Sequence, residues 1–131
     1  MRQIRFSPYN FFMIHSTEFL AVVDDAKSRV REVSVDETLE RMKDGAVLID
    51  VREDNEFEAA HATDAVHLGR GIIERDIVGK YPEKDTELIL YCGGGFRSAL
   101  SGDMLQKMGY TNVWSMAGGW SAWKSANAPI E

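Results

Sequence analysis

The stretch LILYCGGGFRS, residues 88–98, holds the chain's single cysteine at the end of an apolar run, followed by three glycines and then Phe96, Arg97 and Ser98. Gly93, Gly94 and Gly95 carry no Cβ, so their backbone can take positive φ and approach a bound group closely. Successive N–H groups in such a turn converge into a nest that attracts an anion. A helix opening near Ser98 adds unpaired N–H groups and a partial positive charge at the same point. Arg97 adds a permanent cation whose forked donors suit oxyanions. All of these favour thiolate over thiol at Cys92, whose pKa is expected below the free value of about 8.5. A cysteine of that kind attacks sulfur, or it attacks phosphorus or arsenic. The plain alternative is a small buried core cysteine, and GGGFRS at the end of a strand argues against it.

Other residue types in the chain carry less. Asp50 and Arg52 stand at the end of a buried run, where charges are normally paired, and are expected to brace the loops neighbouring the cysteine by ion pairing. Arg70 and Arg75 are candidates to extend an anion site toward a substrate, against the simpler reading of solvated surface. His15, His61 and His67 lack the spacing of metal ligands, so no metal is expected. His61 is read as a structural hydrogen-bonder, and Trp114, Trp120 and Trp123 as packing residues. GRGIIE (69–74) lacks the third glycine of a dinucleotide fingerprint, and no lysine follows the glycine triplet as a phosphate loop requires.

Alternating strands and helices position these residues. Ser16 to Arg31 has a helical pattern, with Phe19, Leu20, Val22, Val23, Ala26 and Val30 as its apolar stripe. Val33 and Val35 indicate a short strand. Ser34 and Glu37 have capping-box spacing and open a helix through Met42 that Gly45 can end. AVLIDV (46–51), AVHL (65–68), ELILYC (87–92) and NVWSM (112–116) supply the remaining strands. EDNEFEAA, GIIERDIVGKY and GGWSAWKSA are helical, as is Ser98 to Met108, with Leu100, Met104, Leu105 and Met108 inward and Gly109 at its C-cap. The pattern predicts a single α/β domain: a parallel sheet flanked by helices on both faces, with an extra N-terminal helix packed on its outside. Ligands of such sheets bind beyond the carboxyl ends of strands, where Cys92 lies.

The chain's 131 residues, 44% hydrophobic and 27% charged, fit one domain. Residues 1–31 are expected to form an arm and helix, and 32–131 the main domain. A net charge of −6 argues against nucleic acid as a partner. No apolar run approaches the roughly 18–20 residues of a membrane span. MRQIRFSPYNFFMI is interrupted at Ser7, Pro8, Tyr9 and Asn10 and lacks the continuous core of a signal peptide, so a cytoplasmic location is expected. Met13 is a candidate alternative start. The lone cysteine excludes an intramolecular disulfide.

Cys92-Gly93-Gly94-Gly95-Phe96-Arg97-Ser98 resembles the active-site loop of the rhodanese family, C-x-x-G-x-R-[ST]. LIDVRE (48–53) resembles the family's Asp-Val-Arg strand, AAHATDAVHL (59–68) its G-H-I-x-G-A-x-x-I segment, and MAGGWSAW (116–123) its closing G-G-x-x-x-W segment. The resemblance runs in order over about residues 32–126. Ala60, Ala62 and Thr63-Asp64 depart from the family's Gly, Ile and Pro-Gly, and HLGRG stands where I-P is common; these bear on substrate choice and leave the cysteine loop intact.

The resemblance implies a two-step sulfur transfer. Cys92 takes a sulfane sulfur from thiosulfate or a similar donor, holds it as a persulfide amid the amides of residues 93–97, and yields it to cyanide or a thiol. No cofactor is implied beyond that covalent intermediate. With no second cysteine, the acceptor comes from outside. Arg97 either binds the donor's sulfonate or braces the loop through a carboxylate. A persulfide carrier serving a partner protein shares the same cysteine and differs in turning over small donors poorly. Cysteine phosphatases and arsenate reductases of similar fold are the weaker alternative, because phosphatase loops resemble C-x-x-x-x-x-R, one residue longer. A non-catalytic binding module fits the intact cysteine least. Mercaptopyruvate-type loops resemble C-G-S-G-V-[ST] and lack the arginine, which favours thiosulfate.

Overall fold

Five short apolar runs come together as one parallel sheet in the computed structural model, which describes residues 5–7 and 10–131, with side chains from His15 onward. Residues 1–4 and 8–9 of the leading arm lie outside the described residues. The sheet's strands are β3 (Arg31–Val33), β4 (Val47–Asp50), β5 (Val66–His67), β6 (Leu88–Tyr91) and β7 (Val113–Met116), in the order β3-β7-β6-β4-β5. Every pairing is parallel, with Asp50 opposite Tyr91 and Leu90 opposite Ser115.

Side chains alternate across this sheet and divide its core in two. Ile49, Val51, Leu88, Leu90, Cys92 and Val113 face α4 (Ile73–Lys80) and α5 (Phe96–Lys107), where they meet Ile73, Ile77 and Leu105. Leu48, Ile89, Tyr91 and Met116 face α2 (Val35–Lys43) and α6 (Gly119–Ser125), meeting Leu39, Met42 and Trp123. The expected capping box closes at the start of α2: Ser34 Oγ accepts from Glu37 N at 3.1 Å, and Glu37 Oε1 accepts from Ser34 N at 3.3 Å. The short helix α3 (Asp54–Ala59) follows β4 at the carboxyl edge of the sheet.

The N-terminal helix α1 (Thr17–Lys27) is capped by Ser16, whose side chain accepts from Phe19 N. It packs Val23 and Ala26 on Ala99 and Leu100 of α5, and Arg29 beyond its end donates to both carboxylate oxygens of Asp103 at 2.9 Å. α5 therefore lies between the sheet and another helix. This corrects two inward assignments: Val22 is 56% exposed and Met104 42% exposed. α5 meets α1 through Ala99 and Leu100 and the sheet side through Leu105, and Met104 lies outside both contacts. The arm before α1 also holds structure that periodicity did not show: β1 (Arg5–Ser7) pairs antiparallel with β2 (Asn10–His15). No helix among the described residues is long and apolar enough to cross a membrane.

Candidate active site

Cys92 ends β6 at the carboxyl edge of the sheet. The chain leaves β4 toward β5 and leaves β6 toward β7 on the opposite side, so Cys92 sits where the winding direction changes, the favoured ligand position of an open α/β sheet. α5 starts at Phe96, two residues before the position read from the sequence. The loop is thereby shortened, and residues 96–98 become a first helical turn whose N–H groups have no partner within the helix. Gly95 precedes that turn at φ 104°, a left-handed conformation that a side chain would strain. Cys92 Sγ receives hydrogen bonds from Gly95 N at 3.1 Å and Ser98 N at 3.4 Å, and lies 3.5 Å from Ser98 Oγ. The sulfur is buried, facing amides and the positive end of a helix, so negative charge on it is met by fixed dipoles.

Residues of α6, of α3 and of the N-terminal elements hold this loop. From behind, the first turn of α6 donates Trp120 N to the Cys92 carbonyl at 2.7 Å and Ser121 N to the Gly93 carbonyl at 3.2 Å. With those carbonyls held by α6, the N–H groups of Gly95 and Ser98 are directed at the sulfur. Gly119, at φ 53°, makes this approach possible, since a Cβ there would collide with the Cys92 carbonyl. On the outer side, Arg97 donates to both carboxylate oxygens of Glu56 on α3, at 2.7 and 3.3 Å. The guanidinium lies so close that a Cβ on Gly93 would stand 3.1 Å from Arg97 Nη2. Burial pushes the Glu56 carboxyl up, but the Arg97 hydrogen bonds and the Glu53 N–H outweigh it and hold the group below its ordinary value. Above the loop, Phe96 meets His15 edge-on at 4.8 Å and Lys27 Nζ at 5.1 Å, which ties it to the N-terminal elements. Burial lowers the pKa of His15.

Asp50 and Arg52 form a buried ion pair on the opposite face of the sheet from Cys92. Arg52 donates Nη2 to Asp50 at 2.8 Å and to the Ala60 carbonyl at 2.7 Å. The Tyr91 hydroxyl donates to Asp50 at 2.6 Å and accepts from Ala62 N at 3.1 Å. Burial, then the Asp50 charge, raise the Tyr91 pKa, which keeps that proton in place. The pair reaches the cysteine loop only indirectly, since the Arg52 guanidinium lies 4.7 Å from the Trp120 ring on α6. Asp64 takes the position where the family's Pro-Gly is common and adopts φ 69°, a left-handed value that aspartate tolerates.

Arg70 leaves the same carboxyl edge just after β5. Its backbone is held by the Val51 carbonyl at 3.0 Å, while its side chain is exposed and without an ion-pair partner among the described residues. Arg75 instead pairs with Asp76 at 2.7 Å, as a solvated surface residue does. His61 and His67 stack on either side of Phe57 and donate to the Phe57 and Arg52 carbonyls. Among the described residues, no group of three or more His, Cys, Asp or Glu side chains is placed to hold a metal ion. Sequence reasoning missed Glu56, the pinning contacts of α6 and Ser115, which stands behind Ser98. Ser115 alone left a local signal, as a polar residue inside a buried strand.

A cysteine sulfur met by amides in a six-residue loop from Cys92 to Arg97 is placed to act as a nucleophile toward a small, electron-poor atom. Comparison with known proteins places the fold around it. The thiosulfate sulfurtransferase GlpE of Haemophilus influenzae is 30% identical over 102 residues, covering 77% of this chain and 94% of the relative. The GlpE of Vibrio cholerae is 34% identical over 86 residues, covering 66% of this chain and 79% of the relative. A solved protein of unknown function from Rhodopseudomonas palustris, described as a possible tyrosine phosphatase, superposes with TM-score 0.76 at 29% identity, over 86% of this chain and 93% of its own. The polysulfide-sulfur transferase homodimer of Wolinella succinogenes shares the fold, with TM-score 0.75 at 23% identity over 87% of each chain. The family model for the rhodanese-like domain matches residues 34–126, from the cap of α2 to the end of α6. That span contains the cysteine loop and the α3 and α6 contacts that hold it, and the chain belongs to the rhodanese-like domain family.

Proposed function

We propose that the chain is a thiosulfate sulfurtransferase that carries sulfur covalently on Cys92 and uses no other cofactor. The Cys92 thiolate attacks the outer sulfur of thiosulfate, the sulfur–sulfur bond of the donor breaks, and sulfite leaves with the bonding pair. Cys92 then bears a persulfide whose outer sulfur holds the negative charge. Cyanide or an external thiolate attacks that sulfur, the Sγ–S bond breaks, and the Cys92 thiolate returns. The amides of residues 93–97 and Ser98 serve as a preorganised cradle for charge on either sulfur, as an oxyanion hole does for oxygen.

The observation that carries this reading is the cysteine in its short loop, with Gly95 N and Ser98 N aimed at Sγ. Four residues between Cys92 and Arg97 suit a sulfur atom better than a tetrahedral phosphate, and the names of the GlpE relatives point the same way. Arg97 has its fork occupied by Glu56, which favours bracing over donor binding. Recognition of the donor's sulfonate then falls to Arg70, an exposed cation at the same carboxyl edge with no ion-pair partner among the described residues. Steady-state turnover of thiosulfate with cyanide tests the proposal. Parallel double-reciprocal lines, the pattern of a ping-pong reaction, are the expected result. Absence of turnover, with stoichiometric uptake of sulfur from a protein persulfide, would make the chain a carrier instead; hydrolysis of phosphate esters lost in Cys92→Ser would make it a phosphatase.

A further inference from the structure

We infer that Ser115, on β7, is a positioning residue for Cys92 that acts through the Ser98 hydroxyl. Ser115 Oγ lies 2.7 Å from Ser98 Oγ, and Ser98 Oγ lies 3.5 Å from Cys92 Sγ. Both serines are buried. The period-2 alternation of β7 turns Ser115 to the same side of the sheet as Val113, among the apolar residues beneath α5. A hydroxyl is costly in such a place unless it is hydrogen-bonded, and this one is bonded to the residue that touches the sulfur.

The proton count fixes the direction of the chain. Each hydroxyl has one proton to give and room to accept. When Sγ is anionic it is the stronger acceptor, so the Ser98 proton turns to it. The short contact between the two oxygens then requires Ser115 to donate to Ser98. Ser115 thereby holds the Ser98 hydroxyl in the orientation that serves sulfur, and each bond polarises the next.

This inference rests on Cys92 as the sulfur-carrying residue, because charge returns to Sγ in both halves of the reaction. It is there on the attacking thiolate. It is there again on the thiolate that leaves when the acceptor takes the outer sulfur. In the persulfide between them the charge is on the outer sulfur, and the Ser98 rotor is free to turn.

Iodoacetamide alkylation of Cys92 at neutral pH, which needs no sulfur donor, tests the relay apart from sulfur transfer. Ser115→Ala is expected to slow alkylation about threefold to tenfold, the loss associated with part of a charge-assisted hydrogen bond. Ser115→Thr and Ser115→Val have nearly the same shape and differ in the hydroxyl, so their rate ratio reports it even if the alanine variant folds poorly. The threonine variant should react as wild type does and the valine variant should be slow. Adding Ser115→Ala to Ser98→Ala should cause no further loss, since the effect passes through Ser98. Equal rates for Thr and Val, a valine variant faster than wild type, or additive losses in the double variant would each overturn the inference. A wild-type protein that alkylates readily but takes no sulfur from thiosulfate would contradict the proposed function and leave the relay standing.

Discussion

Arg97 illustrates how a residue's role depends on what lies across from it. A free guanidinium beside a nucleophilic cysteine would be read as a substrate clamp, but both arms of this one are on Glu56. As a brace, Arg97 shapes the loop for every reaction of Cys92. Arg97→Ala is therefore expected to lower thiosulfate turnover and Cys92 alkylation by similar factors, and Glu56→Gln to lower both in the same proportion. A donor-binding role would instead appear as a raised KM for thiosulfate with alkylation unchanged, which is the pattern expected for Arg70→Ala. The cysteine loop itself was legible because its parts are consecutive: a strand end, glycines, a cation and a helix start. Glu56 was not legible, since it is 41 residues from Arg97 and meets it only because α3 and the loop share one edge of the sheet.

At the scale of elements, most of the site is built by what presses on the loop. α6 takes up two loop carbonyls, and α1 covers α5 and reaches Phe96. The closing G-G-x-x-x-W segment was visible in the sequence as a motif, yet its purpose was not, because a helix end meeting carbonyls 25 residues or more away leaves no periodic trace. The five sheet strands were legible as short apolar runs. Met104 of α5 and Val22 of α1 were misplaced because an apolar stripe read from the sequence is wider than the face that is buried: α1 buries Leu20, Val23 and Ala26, and α5 buries Ala99, Leu100 and Leu105. The tie between α1 and α5 should depend on pH. Hydrogen bonds from Arg29, helped by the Lys107 charge, outweigh burial and the nearby Asp25 and hold the Asp103 carboxyl below its ordinary value. A depressed carboxyl contributes stability that is complete above the unfolded value of about 3.9 and is lost as pH falls through the folded one. Thermal unfolding should therefore separate wild type from Asp103→Asn at neutral pH, and the gap should close in acid. A gap that persists or widens in acid would contradict that assignment.

Across the whole molecule, the sheet separates support from chemistry. On one face Asp50, Arg52 and Tyr91 satisfy one another and fix the segment around Ala60 and Ala62. On the other face Cys92 looks toward α5 with its two serines behind it. Strand periodicity makes this division, because Tyr91 and Cys92 are neighbours in sequence and so point to opposite sides. The measurement that bears most directly on the account is the intact mass of wild type and Cys92→Ser before and after incubation with thiosulfate. The account predicts a reducible gain of one sulfur atom in wild type, reversed by cyanide with release of thiocyanate, and no gain in the variant. Wild type that gains no sulfur, or a variant that gains as much, would contradict it.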